Sequence, residues 1–290
     1  MQVLSLFDGI SCGQIALNRA GIKYKLYYAS EIDKYAIKVA QANFPSTFQL
    51  GDINHWRQWP VAWEKIGLIL AGSPCQGFSF AGKQLAFDDP RSKLFFVFAD
   101  ILRHIQSYNP EVKFLLENVV MKKESQKVIS DTVKAEAVLI NSALVSAQNR
   151  NRLYWCNWQI AQPEDKGIML QDIIETGSGV IKNKGVLQLR NEKAMCLDAN
   201  YHKGADNHGQ RTLIIQKPRG KNSGGIKAED GKTPCMSANA WQENNHLLTG
   251  QTYRKLTPLE CERLQTVPCE YTAHVSNTRR TSATLSAIEC

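Results

Sequence analysis

The sequence predicts an α/β protein: a parallel sheet with helices on both faces, followed by a second, smaller irregular domain. Two observations carry this. Over residues 1 to about 160, short apolar runs alternate with stretches whose apolar residues recur at helical spacing. From about Gln162 the texture changes, and residues 176–250 become rich in Gly, Asn, Lys and Ser with only short apolar runs. Alternation of the first kind builds parallel sheets, because each strand needs a crossover helix to return in the same direction.

The elements follow in order. Val3-Leu4-Ser5-Leu6-Phe7 reads as a buried strand, and a helix follows from about Gly13 to Ala20. Tyr24 to Ser30 is a second strand, followed by a helix from Lys34 to Ala42. Gly67-Leu68-Ile69-Leu70-Ala71 is a further buried strand. Lys93 to Gln106 has apolar residues at helical spacing, and Val112 to Leu116 is strand again. Asn109-Pro110 and the glycine-containing turns punctuate the series. The expected division is a larger domain at 1–162, a smaller one at 163–252, and a closing segment at 253–290.

Composition narrows the function classes. The chain has 290 residues, 43% hydrophobic and 21% charged, so it can bury a sizeable core. Its net charge of +8 suits a polyanionic partner. No apolar run reaches the ~18 residues a membrane span needs. The N-terminus lacks the basic region of a signal peptide and meets an acid at Asp8, so a cytoplasmic protein is expected. The eight cysteines are scattered, without a CxxC pair, which argues against a zinc site or a disulfide framework. A functional cysteine must therefore be argued from its neighbours.

Phe7-Asp8-Gly9-Ile10-Ser11-Cys12-Gly13 closes the first strand and opens the first helix. Gly9 and Gly13 let backbone approach a ligand there. The spacing is not GxGxxG, and Asp8 would repel phosphate, so a dinucleotide is not indicated. Glu31, followed by Ile32, ends the second strand, where an acid can take both ribose hydroxyls. Asp52, followed by Ile53, comes after the third strand and could bind an adenine amino group. A glycine turn with acids after the second and third strands suits an adenosyl cofactor without phosphates, S-adenosylmethionine foremost.

Cys75 lies in Gly72-Ser73-Pro74-Cys75-Gln76-Gly77, just after a buried strand, at the edge where such sheets bind ligands. Pro74 fixes the backbone before it, and the flanking glycines let the loop turn tightly. Glu117 ends the apolar run Phe114-Leu115-Leu116 at the same edge. In Gln148-Asn149-Arg150-Asn151-Arg152, Arg150 and Arg152 share one side of an extended segment. Such a pair can hold an anion, or orient a carboxylate and a base edge.

These segments resemble the DNA (cytosine-5) methyltransferases of bacteria and phages, and also the animal de novo enzymes. The matches run in family order: Phe7-Asp8-Gly9 to Gly13, Glu31, Asp52, Pro74-Cys75-Gln76, Glu117-Asn118-Val119, and Gln148 with Arg150 and Arg152. Arg254 to Gln265 with Val267-Pro268 matches a segment that the family places after its target-recognition domain. The resemblance implies a Rossmann-like S-adenosylmethionine-dependent methyltransferase sheet. It makes Cys75 the nucleophile toward cytosine carbon 6, with Glu117, Arg150 and Arg152 beside it. Phe7, Asp8, Gly9, Gly13, Glu31, Ile32, Asp52, Ile53 and Pro74 become the cofactor-binding set. The partner is double-stranded DNA, whose target base leaves the helix, and a monomer without metal is expected. Lys83, Gln84, Arg91 and Lys93 are candidate DNA contacts, and residues from about 165 to 250 would read the major groove. Within them Lys193–Tyr201 resembles Lys232–Trp241, a weak repeat of strand-turn units whose loops could face DNA.

The resemblance weakens after about Asn277. The family's closing helix, which completes the cofactor pocket, is not legible in Thr278 to Cys290. Two alternatives follow: a tRNA cytosine-5 methyltransferase, or a DNA-binding relative impaired by its altered C-terminus. A thiol hydrolase ranks below both, because none of the six histidines falls in the matched motifs.

Overall fold

The computed structural model describes residues 1–74, 93–169, 172–175 and 257–276, and the backbone of four further short strands. The chain divides into two compact units. The first comprises Met1–Ile140 and Arg152–Gln162; the second takes Asn141–Asn151 and the described residues from Pro163 onward.

The first unit is built on a seven-stranded sheet. In chain order its described elements are β1 (Gln2–Leu6), α1 (Cys12–Arg19), β2 (Leu26–Ser30), α2 (Lys34–Asn43), β3 (Phe48–Gln49), β4 (Ile66–Gly72), α3 (Lys93–Tyr108), β5 (Lys113–Val119), α4 (Lys123–Val133), β6 (Ala137–Asn141) and β8 (Asn151–Cys156). The sheet order is β3-β2-β1-β4-β5-β8-β6. Strands β1 to β5 pair in parallel throughout. From β1 the chain winds outward to β2 and β3, then crosses to the other side of β1 to lay down β4 and β5. That reversal between β1 and β4 splays the connecting loops and opens a crevice at the strands' carboxyl ends.

Alternate residues of each strand face opposite sides of the sheet. Val3, Tyr27, Ala29 and Leu68 pack with Leu17 of α1 on one face. Leu4, Leu6, Tyr28, Ile69 and Ala71 pack with Phe95, Phe98 and Ile101 of α3 and Ile129 of α4 on the other. A continuous apolar run such as Ile66-Gly67-Leu68-Ile69-Leu70-Ala71 is what a strand covered on both faces requires.

Two features depart from the sequence reading. Strand β8 runs antiparallel to β5, so the sheet is mixed rather than wholly parallel. Helix α4 and strand β6 also have no counterpart in the sequence reading. The reason lies in their composition: Lys123–Val133 buries two serines, Ser125 and Ser130, beside Ile129 and Val133. Ser130 accepts a 2.9 Å hydrogen bond from the indole of the fully buried Trp155. A polar residue thus fills a core position and blunts the apolar periodicity.

In the second unit, β7 (Gln148–Asn149) pairs in parallel with β10 (Ala194–Met195). Strand β12 (Thr252–Arg254) pairs antiparallel with β9 (Ile181–Lys182) and β11 (Leu247–Thr249). Helix α5 (Pro258–Leu264) starts at a capping box between Thr257 and Glu260, with Pro258 in its first turn. Glu260 and Glu262 are fully buried. Glu260 accepts from the backbone amides of Thr257 and Glu175, and Glu262 from those of Glu270 and Thr272, at 2.7–2.9 Å. Buried carboxylates persist because amide donors replace the water they lose. Among the described residues no helix is long and apolar enough to cross a membrane.

Candidate active site

The crevice predicted by the strand order is walled by the loop after β1. Phe7, Gly9 and Ser11 all adopt left-handed backbone, with φ of 59°, 59° and 63°. Asp8 between them is buried, and its carboxylate turns into the protein. One oxygen accepts from the Tyr27 hydroxyl at 2.8 Å, the other from the Ser11 hydroxyl. Burial pushes its pKa up to about 6, against the lowering effect of the Ser11, Ser5 and Tyr27 hydroxyls and with a small further rise from Glu31. The same burial, and then the charge of Asp8, raises the Tyr27 phenol well above its ordinary value.

The remaining cofactor candidates fall into two groups. Glu31 lies at the rim: its Oε2 accepts from the Gly9 amide at 2.8 Å, and its Oε1 from the amides of Ile32 and Asp33 at 2.7 and 2.9 Å. Ile32 beside it is 75% exposed, a bare apolar surface next to an acid. Asp52 accepts from the amide and side chain of Asn54 and caps the 3-10 turn Ile53–Gln58. By contrast the Ile53 side chain is 4% exposed and belongs to the core. Gly13 also serves packing: a Cβ there would lie 2.6 Å from the Tyr27 hydroxyl oxygen and from Leu70 Cδ1. The close approach that requires glycine is therefore to a protein side chain.

The second wall is the carboxyl end of β4 and β5. Gly72 of β4 lies opposite Glu117 of β5. Val119 pairs with Arg152 and Glu117 with Tyr154, which sets Glu117 and Arg152 diagonally on one face. Arg152 Nε lies 2.9 Å from Glu117 Oε1, with both side chains largely buried. Asn118, fully buried, donates from Nδ2 to the Ser73 hydroxyl at 3.0 Å and the Ser73 carbonyl at 3.3 Å. Its own Oδ1 accepts from the Val119 amide at 2.8 Å. Asn118 thus ties the end of β5 to Ser73-Pro74. Cys75 follows Pro74 directly in the chain but lies outside the described residues, as do Lys83, Gln84 and Arg91. Lys93, which opens α3, is exposed.

Arg150 is buried in the second unit, where its backbone amide donates to Asn141 Oδ1 at 3.0 Å and its carbonyl accepts from Ser142 N–H at 2.9 Å. The structure brings Glu117 and Arg152 together, and Gly9 and Glu31. The roles of Asn118 and Tyr27 were missed. For Asn118 the signal was a second polar side chain directly after Glu117 in the strand that begins Phe114-Leu115-Leu116; for Tyr27 it was a hydroxyl on a face that otherwise reads as buried.

A family described as C-5 cytosine-specific DNA methylase matches residues 1–287, past the Asn277 limit of the motif-by-motif resemblance. The chain is 30% identical to the type II methyltransferase M1.ScrFI of Lactococcus lactis subsp. cremoris, over 96% of this chain and 72% of that protein. It is 27% identical to the type II methyltransferase M.HhaI of Haemophilus parahaemolyticus, over 96% of this chain and 88% of that one. Among solved structures, the Entamoeba histolytica methyltransferase EhMeth superposes with a TM-score of 0.66 at 15% identity, covering 100% of this chain and 95% of its own. A mutant of the Spodoptera frugiperda DNMT2 superposes with 0.64 at 20% identity, covering 99% and 96%. At those identities the superpositions speak for the fold alone.

Proposed function

The chain belongs to the C-5 cytosine-specific DNA methylase family, and from that premise we propose that it methylates carbon 5 of a flipped cytosine in double-stranded DNA through a covalent Cys75 adduct. The observation that carries the proposal is the Glu117–Arg152 pair at 2.9 Å, at the strand end that Asn118 ties to Ser73-Pro74. A carboxylate held by a guanidinium beside a nucleophile's loop suits an amidine-like base edge.

The chemistry asks little else of the protein. The Cys75 thiolate adds to carbon 6, and the ring electrons shift to make carbon 5 enamine-like. Glu117, carrying a proton once the base docks, donates to ring N3 and accepts from the exocyclic amine, so that its proton neutralises the negative charge that develops at N3. Arg152 fixes Glu117 and assists at the base, while Arg150 supports its loop. Loss of the carbon 5 proton after methylation expels the thiolate and restores the aromatic ring. S-adenosylmethionine, when bound, supplies the electrophilic methyl group. The residues at the β1–β3 ends fit such a molecule: Glu31 for the ribose, the exposed Ile32 as an apolar surface for the purine, Asp52 for its amino group. The loop Phe7–Ser11 brings no basic side chain that would favour a phosphate.

We further propose that residues 1–162 form the catalytic domain, 163–252 read the DNA, and 253–290 return to the catalytic domain, in a cytoplasmic monomer. Bisulfite sequencing of DNA from cells expressing the protein tests activity and target together. Methylated cytosines in one sequence context are expected, and they disappear with Cys75→Ser. The Cys75→Ser protein methylating DNA would falsify the nucleophile assignment. Methyl transfer to tRNA and not to duplex DNA would move the substrate to RNA. DNA binding with no adduct on 5-fluorocytosine DNA would make the chain an inactive relative.

A further inference from the structure

We propose that Asp8 is a positioning residue for the cofactor loop: its carboxylate does not touch the cofactor but holds the Phe7–Ser11 backbone in binding shape through Ser11 and Tyr27. The proposal rests on the S-adenosylmethionine reading above. It reassigns a residue whose place in the loop suggests direct contact.

Four observations converge. First, both carboxylate oxygens are engaged from inside the protein, by Ser11 and Tyr27. Second, the hydrogen bonds around them share one direction. The Tyr24 hydroxyl donates to Gln14 Oε1 at 2.8 Å. Gln14 Nε2 donates to the Ser11 hydroxyl at 3.1 Å and to Thr47 Oγ1 at 2.8 Å. Ser11 donates in turn to Asp8, so its hydroxyl and that of Tyr27 in β2 end on one carboxylate, with Gln14 of α1 behind Ser11. Third, Ser11 occupies the N-cap of α1 but makes no side-chain cap bond to the helix. A serine there ordinarily accepts from a helix amide. Here its hydroxyl donates to Asp8 instead, and its left-handed backbone needs holding in place. Fourth, Gly13 clears the path of the Tyr27 hydroxyl, since a Cβ would meet that oxygen at 2.6 Å.

The link to the cofactor runs through one amide. With Asp8 fixed on both sides, the next residue, Gly9, donates its N–H to Glu31, the acid assigned to the ribose. Releasing Asp8 would free the loop to swing, and Glu31 would lose its 2.8 Å partner. The expected consequence is a weaker cofactor site around an intact DNA site.

The test uses the full chain and S-adenosylmethionine itself, titrated calorimetrically and varied in a methyl-transfer assay. Asp8→Asn places an amide against donors that need an acceptor, and Tyr27→Phe removes one donor with little change in shape. Each is expected to raise Kd and KM for S-adenosylmethionine about tenfold, the effect of one lost charge-assisted hydrogen bond. The value of kcat at saturating cofactor and KM for DNA should stay within about twofold. The double variant should be no worse than about the poorer single one, because both act through one carboxylate. Unchanged cofactor affinity in folded Tyr27→Phe and Asp8→Asn proteins overturns the proposal. A fall in kcat with cofactor KM unchanged overturns it too. A wild-type chain that binds no S-adenosylmethionine would instead sink the cofactor reading beneath it.

Discussion

Two carboxylates at the same sheet edge are kept in opposite ways. Asp8, after β1, is met by hydroxyls and has its pKa pushed up to about 6. Glu117, at the end of β5, is met by the Arg152 guanidinium at 2.9 Å. Hydroxyls can orient a carboxylate but offset little of the cost of burying its charge. A guanidinium offsets more of it and adds direction. The β1 side of the crevice is thus built around a charge held at a cost to stability, and the β5 side around a charge that is compensated.

The sharpest way to break this comparison is to remove the compensating group. Arg152→Ala leaves Glu117 buried beside an empty space, and a loss of roughly 3–5 kcal/mol in unfolding free energy is expected. Methyl transfer should fall at least about a hundredfold even where the protein remains folded. Urea unfolding and single-turnover assays measure the two effects; a loss of less than about 1 kcal/mol would remove the contrast with Asp8.

The opposite outcome is expected at Asp8. Its folded pKa of about 6 lies above the ordinary 3.8, so between those values the folded state binds the extra proton. Stability from this group is therefore fully present below about pH 4 and is lost as pH rises through 6. Relative to wild type, Asp8→Asn should gain up to about 3 kcal/mol between pH 4 and pH 7.5. Paired urea titrations at the two pH values read that difference, and a difference independent of pH would refute it.

Asn118→Ala should cost about 1–3 kcal/mol, the range for buried polar groups deprived of a partner. It should also slow adduct formation on 5-fluorocytosine DNA by untying Ser73 from β5. The smallest effect sets the baseline. Lys127 and Asp131, an exposed i,i+4 pair on α4 at 2.9 Å, should contribute no more than about 0.5 kcal/mol, and less in high salt.

The sequence showed these regions unequally. Strands β1, β2, β4 and β5 and helices α1 to α3 were legible because both-face burial leaves continuous apolar runs and helical spacing leaves stripes. Helix α4 and strand β6 were not, since buried Ser125 and Ser130 interrupt the stripe and β6 is only partly buried. Glu117 and Arg152 could be named from their positions, and the diagonal β5–β8 register that joins them is a long-range fact that no local pattern encodes. Asp8 was named for its place in the loop, but the direction of its side chain depended on Tyr27, nineteen residues away. Ile53 was named for its place beside Asp52, and the burial of its side chain depends on packing that no local pattern encodes.

The place of β8 has a consequence for how the protein is made. Although β6 precedes β8 in the chain, β8 lies between β5 and β6 in the sheet. A nascent chain that has emerged only as far as β6 therefore has a strand with no neighbour beside it and an open flank on β5. Unpaired flanks of this kind are where partly made chains stick to one another. The flank closes when Asn151–Cys156 threads into the gap, and the same event delivers Arg152 to Glu117. Closure of the sheet and arrival of the Arg152 guanidinium are thus one step in the birth of the molecule, so a ribosome stalled before that point holds a chain that is adhesive and whose Glu117 still lacks its cation.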